Sequence, residues 1–426
     1  MKKLHLILIL TLIFYCCQVA FSQEQSSPLW KAYKEENYFR LNHMLAKSGI
    51  KSNGPECLLF KAKLGYVFNK PRESDSLINI LLDKYSDAFN DTIIADLVFM
   101  RSVNLTRLED YKNAFTDGSL FVEKYHHLYD SAFINETVDD NTVREILSGV
   151  PKLEVIKTSD IQVPIKRDVA GLINLPVYLK SDSVNFVFDT GANMSVIVSS
   201  LAKKYGFKPL AKKIYIMAIT GKRIEAELAL VDLKIGTMEI NHSPFIIFPD
   251  SILSFANGAY IIKGIVGFPI MNALKEIVLT DDKYLLVPKV PEKTDQQNFA
   301  LDQSNPVILV SYKNDTLPFH FDTGANATML YESFFNRYKN DIEKNCQKSK
   351  NQLGGAGGSA EVETYILNNP ILSAGNVETK LDSLIILTKS LMSNQEHLYG
   401  NFGQDFIKRY KEMKINFEAM SIRFSK

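Results

Sequence analysis

The hexapeptide Phe-Asp-Thr-Gly-Ala-Asn stands twice in this chain of 426 residues, at 188–193 and again at 321–326. Each copy closes an apolar, strand-like run, Phe186-Val187-Phe188 before Asp189 and Phe319-His320-Phe321 before Asp322. One Asp before a Gly at a strand end is an ordinary turn. Two copies 133 residues apart (189 to 322) mean that a structural unit has been duplicated. More is copied than the hexapeptide. A hydroxyl residue and an apolar pair follow each triplet, Ser195-Val196-Ile197 and Thr328-Met329-Leu330, leading into a helical stretch. A Gly-containing turn comes next, Thr220-Gly221 in one copy and Gly354-Gly355-Ala356-Gly357-Gly358 in the other. Each copy ends on a Gly-x-x-Gly segment, Gly264-Ile265-Val266-Gly267 and Gly400-Asn401-Phe402-Gly403. From Asp to the second Gly is 78 residues in the first copy (189 to 267) and 81 in the second (322 to 403). The chain therefore folds as two similar halves, each presenting one carboxylate.

Two such halves packed face to face bring the carboxylates together, and two close carboxylates cannot both ionise cheaply, so they share a proton. On these triplets and their spacing, the segment from about Val163 to the C-terminus resembles the retropepsin-like and pepsin-like aspartic proteases, with both lobes in one chain. The resemblance implies that Asp189 and Asp322 are catalytic. It also implies that Thr190, Gly191, Thr323 and Gly324 support the catalytic loops. The glycines let backbone N–H groups approach the carboxylates, and in the family the threonine hydroxyls bond across to the opposite loop. Ile265-Val266-Gly267 fits the family's apolar-apolar-Gly element, whereas Asn401-Phe402-Gly403 departs at its first position. Ala192 and Ala325 follow the triplets, as in retroviral-type proteases, which implies an enzyme less adapted to acid. Thr220, Gly221, Gly355 and Gly357 fall where the family places its flaps and are candidate substrate-binding residues; a pair of surface hairpins is the other reading.

The N-terminus reads as a secretory signal peptide over 1–22: Met1-Lys2-Lys3, an apolar run from Leu4 to Cys17, then Ala20-Phe21-Ser22. Lipid attachment at Cys16 or Cys17 is disfavoured by the bulky Phe14 and Tyr15 before them. The expected location is periplasmic or secreted, with no integral span in the mature chain. Only Cys57 and Cys346 remain beyond that segment, too few for a disulfide framework or a metal-ligand spacing. No metal and no cofactor is expected. A net charge of +1 gives no reason to invoke nucleic acid.

From Pro28 to Ile146 apolar residues recur at helical spacing, as in Leu58, Leu59, Ala62, Tyr66 and in Leu77, Ile80, Leu81, Tyr85. The step Asp110-Tyr111-Lys112-Asn113-Ala114 resembles the second helix of a tetratricopeptide (TPR) repeat; an unspecialised helical bundle is the alternative. Pro151 and Pro164 mark a boundary, after which short β-rich runs take over. The predicted chain is thus multidomain: an all-α, TPR-like part over 24–150, then an all-β, bilobal acid-protease fold of two β-barrels. Its lobes span 163–288 and 307–426, joined by a polar linker over 289–306. The helical part is expected to fold separately and to be dispensable for bond cleavage.

The function this implies is that of an exported aspartic endopeptidase, a monomer that hydrolyses peptide bonds by a water activated between Asp189 and Asp322. Its partner is a peptide or protein substrate, and the helical part offers a surface for a further protein. Two alternatives stand beside it. Both Asp residues could be turn residues of an inactive barrel, against which the two complete triplets argue. Or the chain could be a catalytically silent peptide-binding scaffold, which needs no proton sharing.

Overall fold

Proline and capping side chains set where the helices begin. In a computed structural model, which describes residues 27–48, 54–217, 222–355, 357–390 and 397–426, the chain opens with helices α1 (Pro28–Lys34), α2 (Tyr38–Ser48), α3 (Pro55–Val67), α4 (Pro71–Lys84), α5 (Asp91–Arg107), α6 (Tyr111–Tyr125) and α7 (Ser131–Leu147). Pro28, Pro55 and Pro71 stand in first turns, where a missing N–H costs no helical bond. Side chains of Ser27, Asn90, Asp110 and Asp130 cap the N-termini of α1, α5, α6 and α7. Between members of successive pairs the chain turns through left-handed residues, Glu36, Asn69 and Glu109. The pairs then pack closely. Gly65 of α3 lets Ser74 of α4 approach, and Ser74 Oγ donates to Ala62 O at 2.8 Å while accepting from Asn104 Nδ2 of α5 at 2.8 Å. Arg101 on α5 grips Asp117 on α6 with two bonds of 2.6 and 2.7 Å and reaches Asn79 on α4 at 2.9 Å.

After Leu147 the chain is mostly β. A nine-stranded sheet runs Glu154–Ile156, Met238–Phe248, Ser195–Val198, Gly264–Val266, Asp182–Phe188, Ile173–Leu179, Arg223–Ile235, Lys213–Met217, with Lys166–Arg167 beside Ile173–Leu179. Arg223–Ile235 also pairs with Met238–Phe248, so the sheet closes on itself. A ten-stranded sheet repeats the central order: Ser383–Leu387, Met329–Leu330, Gly400–Phe402, Asp315–Phe321, Asn305–Tyr312. The duplication read from the sequence is thus a duplication of strand pairing. Gly264–Val266 runs parallel to Asp182–Phe188, and Gly400–Phe402 runs parallel to Asp315–Phe321. A five-stranded sheet mixes strands of both halves, Ile161–Pro164, Tyr284–Val287, Glu276–Thr280, Glu412–Asn416 and Ser421–Ser425.

The structure departs from the sequence reading at the linker and in the packing of the helices. The expected linker is irregular only to Asn298, because Phe299–Asp302 forms a strand on Asn305–Tyr312 with Phe299, Ala300 and Leu301 buried. The helices also do not stand apart. One hydrophobic cluster takes in Trp30, Leu59, Tyr66 and Leu147 together with Phe188, Phe321 and Phe417. Asn69 Nδ2 donates to Phe417 O at 2.8 Å, Arg107 bonds the carbonyl of Gln303, and His397 lies between Glu36 (3.3 Å) and Asp302 (3.1 Å). The expected signal peptide lies outside the described residues. Among the described residues no helix is long and apolar enough to cross a membrane.

Candidate active site

Each triplet sits where an apolar strand ends. Phe188 and Phe321 are 1% and 0% exposed, and burial of such a ring is worth about 1.5–3 kcal/mol, which anchors the loop that follows. The next residue is then held from the side by the parallel strand. Asp189 N donates to Val266 O at 3.2 Å, and Asp322 N donates to Phe402 O at 3.0 Å. The Gly-x-x-Gly segments are thus what fix the loops. Gly267 N donates to Ser195 Oγ at 3.1 Å and Gly403 N to Thr328 Oγ1 at 3.0 Å. The hydroxyl residue after each triplet is therefore the strut of its own half. A Cβ at Gly267 would sit 2.7 Å from Ala192 O, and one at Gly403 would sit 2.8 Å from Ala325 O, so only glycine lets these backbones meet.

The two loops face each other. A Cβ on Gly191 would lie 2.7 Å from the Asp322 carboxyl, and one on Gly324 would lie 2.4 Å from that of Asp189. Each glycine N–H instead donates to the carboxylate of its own loop, Gly191 to Asp189 Oδ1 and Gly324 to Asp322 Oδ1, both at 2.8 Å. The threonines cross over. Thr190 N donates to Thr323 Oγ1 at 3.0 Å and Thr323 N to Thr190 Oγ1 at 2.9 Å. The hydroxyls donate onward to Phe321 O (2.9 Å) and Phe188 O (2.8 Å). All six expected residues, Asp189, Thr190, Gly191, Asp322, Thr323 and Gly324, are thereby brought together.

Burial pushes the Asp189 carboxyl well above the ordinary carboxylate range. The neighbouring Asp322 charge and a hydrogen bond shared with it add to the rise, against the opposing N–H groups of Gly191 and Ala192. Such a pair holds one proton at a pH where separate carboxylates would hold none.

The flap candidates divide. Thr220 and Gly221 lie outside the described residues; the described strands on either side, Lys213–Met217 and Arg223–Ile235, pair antiparallel. α7 lies along this pair of strands, where Asp139 pairs with Arg223 beside Met217 and Glu145 with Lys212 at the start of the first strand. Gly355 and Gly357 are at the end of the hairpin Gln347–Gly355 and Gly358–Asn368, in which Gly355 pairs with Gly358 and Gly357 takes φ +84°. Gly357 N donates to Ile252 O at 3.3 Å, so this tip crosses from the second half to the first.

Sequence reasoning did not see the polar residues behind the second loop. Gln404 Nε2 donates to Thr323 O at 2.8 Å, Asp405 accepts from Thr328 N and Oγ1 at 2.8 and 2.6 Å, and Asn401 Nδ2 donates to Asp322 Oδ2 at 3.0 Å. The departure of Asn401 from the apolar pattern was the one visible signal.

Residues 175–270, which carry the first triplet and its Gly-x-x-Gly segment, match the family model of an aspartyl protease. A comparison with curated proteins found no match.

Proposed function

We propose that this protein is an aspartic endopeptidase whose reacting groups are Asp189 and Asp322. The observation that carries the reading is the reciprocal threonine bonding, which sets two carboxyls against each other as one proton-sharing pair. The match of residues 175–270 to an aspartyl protease family supports it. The ionised carboxylate takes a proton from a water as its oxygen bonds to the scissile carbonyl carbon. The protonated carboxyl gives its proton to the carbonyl oxygen. As the C–N bond breaks, the carboxyl that took the water's proton gives it to the leaving nitrogen, and the other carboxylate takes a hydroxyl proton from the tetrahedral carbon as its C=O re-forms, so the pair again holds one proton. Donors fixed on both carboxylates before substrate arrives supply the preorganisation this chemistry needs.

On this reading the two β halves are the lobes of an acid-protease fold and the hairpins at 213–235 and 347–368 are its flaps. Helices α1 to α7 form TPR-like hairpins that give a protein substrate or partner a surface. The chain acts as a monomer and is exported, periplasmic or secreted, through the segment 1–22. The test is digestion of a peptide library by the purified mature chain, with Asp189→Asn and Asp322→Asn beside it. Cleavage by the native chain and by neither variant is the expected result. Retention of intact peptides without cleavage would favour a binding scaffold.

A further inference from the structure

The two halves are not equal around the carboxylates, and the difference lies at one register position. In the first half Ile265 pairs with Val187 beside the Asp189 loop; both are apolar. In the second half the same pairing joins Asn401 to His320 beside the Asp322 loop. Both members have changed from apolar to polar, in a place where an unpaired polar group is costly. Asn401 is only 9% exposed, and its amide points at the reacting group, Nδ2 donating to Asp322 Oδ2 at 3.0 Å. Asp322 Oδ1 is already occupied by Gly324 N at 2.8 Å and Ala325 N at 3.1 Å. Asp189 has backbone donors, and an isoleucine stands where Asp322 has its amide.

Two sealed polar atoms complete the set. Asn401 Oδ1 and His320 Nε2 are both buried without a hydrogen-bond partner. They belong to residues paired across adjacent strands, and burial favours the neutral imidazole of His320 against the opposing charges of Asp322 and Asp302. The reverse amide orientation would set Asn401 Oδ1 against Asp322 Oδ2, two acceptors with no proton between them.

We propose that Asn401, backed by His320, is a positioning residue that makes the carboxylate pair unequal, holding Asp322 as the ionised member that activates water and leaving the shared proton on Asp189. This rests on the reading of the pair as the reacting carboxylates. The raised Asp189 carboxyl agrees with it. The titratable groups that face Asp322 are Asp189 from the opposite loop, His320 on its own strand and Tyr331. Asp302 also faces His320.

The test substitutes Asn401→Ile, the residue of the first half, in an Asp189→Asn background, and follows the Asp322 carboxyl by carbon NMR. Loss of a charge-assisted donor is expected to move its titration up by about one pH unit. In the native background the acidic limb of kcat/KM is expected to move up by a similar amount, with kcat falling more than KM changes. His320→Val should shift both in the same direction by less, and His320→Gln, which keeps an N–H donor, should restore them. Should Asn401→Ile fail to fold, Asn401→Ala removes the same amide and carries the same measurement. An Asp322 titration that does not move on loss of the amide overturns the inference. If Asp189→Asn and Asp322→Asn still cleave peptide, the protease reading falls instead, and the NMR titration still decides what Asn401 does.

Discussion

Thr190 and Thr323 each hold the other's backbone, with N–H to Oγ1 bonds of 3.0 and 2.9 Å that cross between the two halves of the β region. Both residues are buried, at 1% and 0% exposure, so no water replaces either bond. Replacing one threonine by valine keeps the shape and removes an acceptor for one N–H and a donor for one carbonyl. Two buried backbone groups left unpaired cost about 1–3 kcal/mol each. Thr190→Val is expected to destabilise by about 2–6 kcal/mol and to depress cleavage further, because the carboxyls lose their fixed spacing. Chemical denaturation beside peptide turnover checks this; a variant with native stability and full turnover would show that the cross-bonding is incidental.

Asp189→Asn and Asp322→Asn are each expected to remove proteolysis while the fold persists. An amide has the volume of the carboxylate and cannot share its proton. Circular dichroism establishes the fold and a peptide assay the activity. One single variant with near-native turnover would rule out a shared pair.

Asp189 also predicts a pH dependence of stability with a definite sign. Its carboxyl titrates higher folded than in an unfolded chain, where an aspartate has a pKa of about 3.9. The folded protein binds that proton more tightly, so this stability is fully present below the unfolded value and is lost as pH rises through the raised one. Asp189→Asn removes the titration. It is expected to melt above the native chain at neutral pH, by a few degrees at most, with the advantage vanishing toward about pH 3–4. Parallel melting curves across that range, measured by calorimetry, would contradict it.

Both triplets stand in one polypeptide, and specific activity is therefore expected to stay constant on dilution. Turnover per molecule over a wide dilution series, with sedimentation at the same concentrations, measures this. Activity that collapses as a dimer dissociates would mean that the site needs a second copy.

A chain begun near Val155 is expected to be less stable than the full protein and to melt at lower temperature. The truncation uncovers part of the hydrophobic cluster that the helices share with the β region and removes the bonds to Phe417 and Gln303. This departs from the separable helical part that the Pro151–Pro164 boundary suggested. Calorimetry of the full chain should give one transition. Two independent transitions, together with full peptide turnover by the truncated chain, would restore the separable reading.

Much of this was legible in the chain itself. Helical spacing of apolar residues placed the helical part over 28–146, where the structure has α1 to α7, since that periodicity is a local signal. The repeated triplets and Gly-x-x-Gly segments fixed the duplication, because a copied unit keeps its turn chemistry at copied offsets. What depends on register was not legible. Phe299-Ala300-Leu301 is too short a run to be read as a strand until Val307 and Ile308 lie opposite it. The helices seemed separable because a polar boundary in sequence does not reveal that Asn69 and Arg107 reach backbone carbonyls far along the chain. Asn401 looked like a flaw in an apolar pattern. Only the parallel pairing that sets it beside His320, with its amide 3.0 Å from Asp322, turned the mismatch into a donor, because a side chain's partner is decided by strands that meet through space.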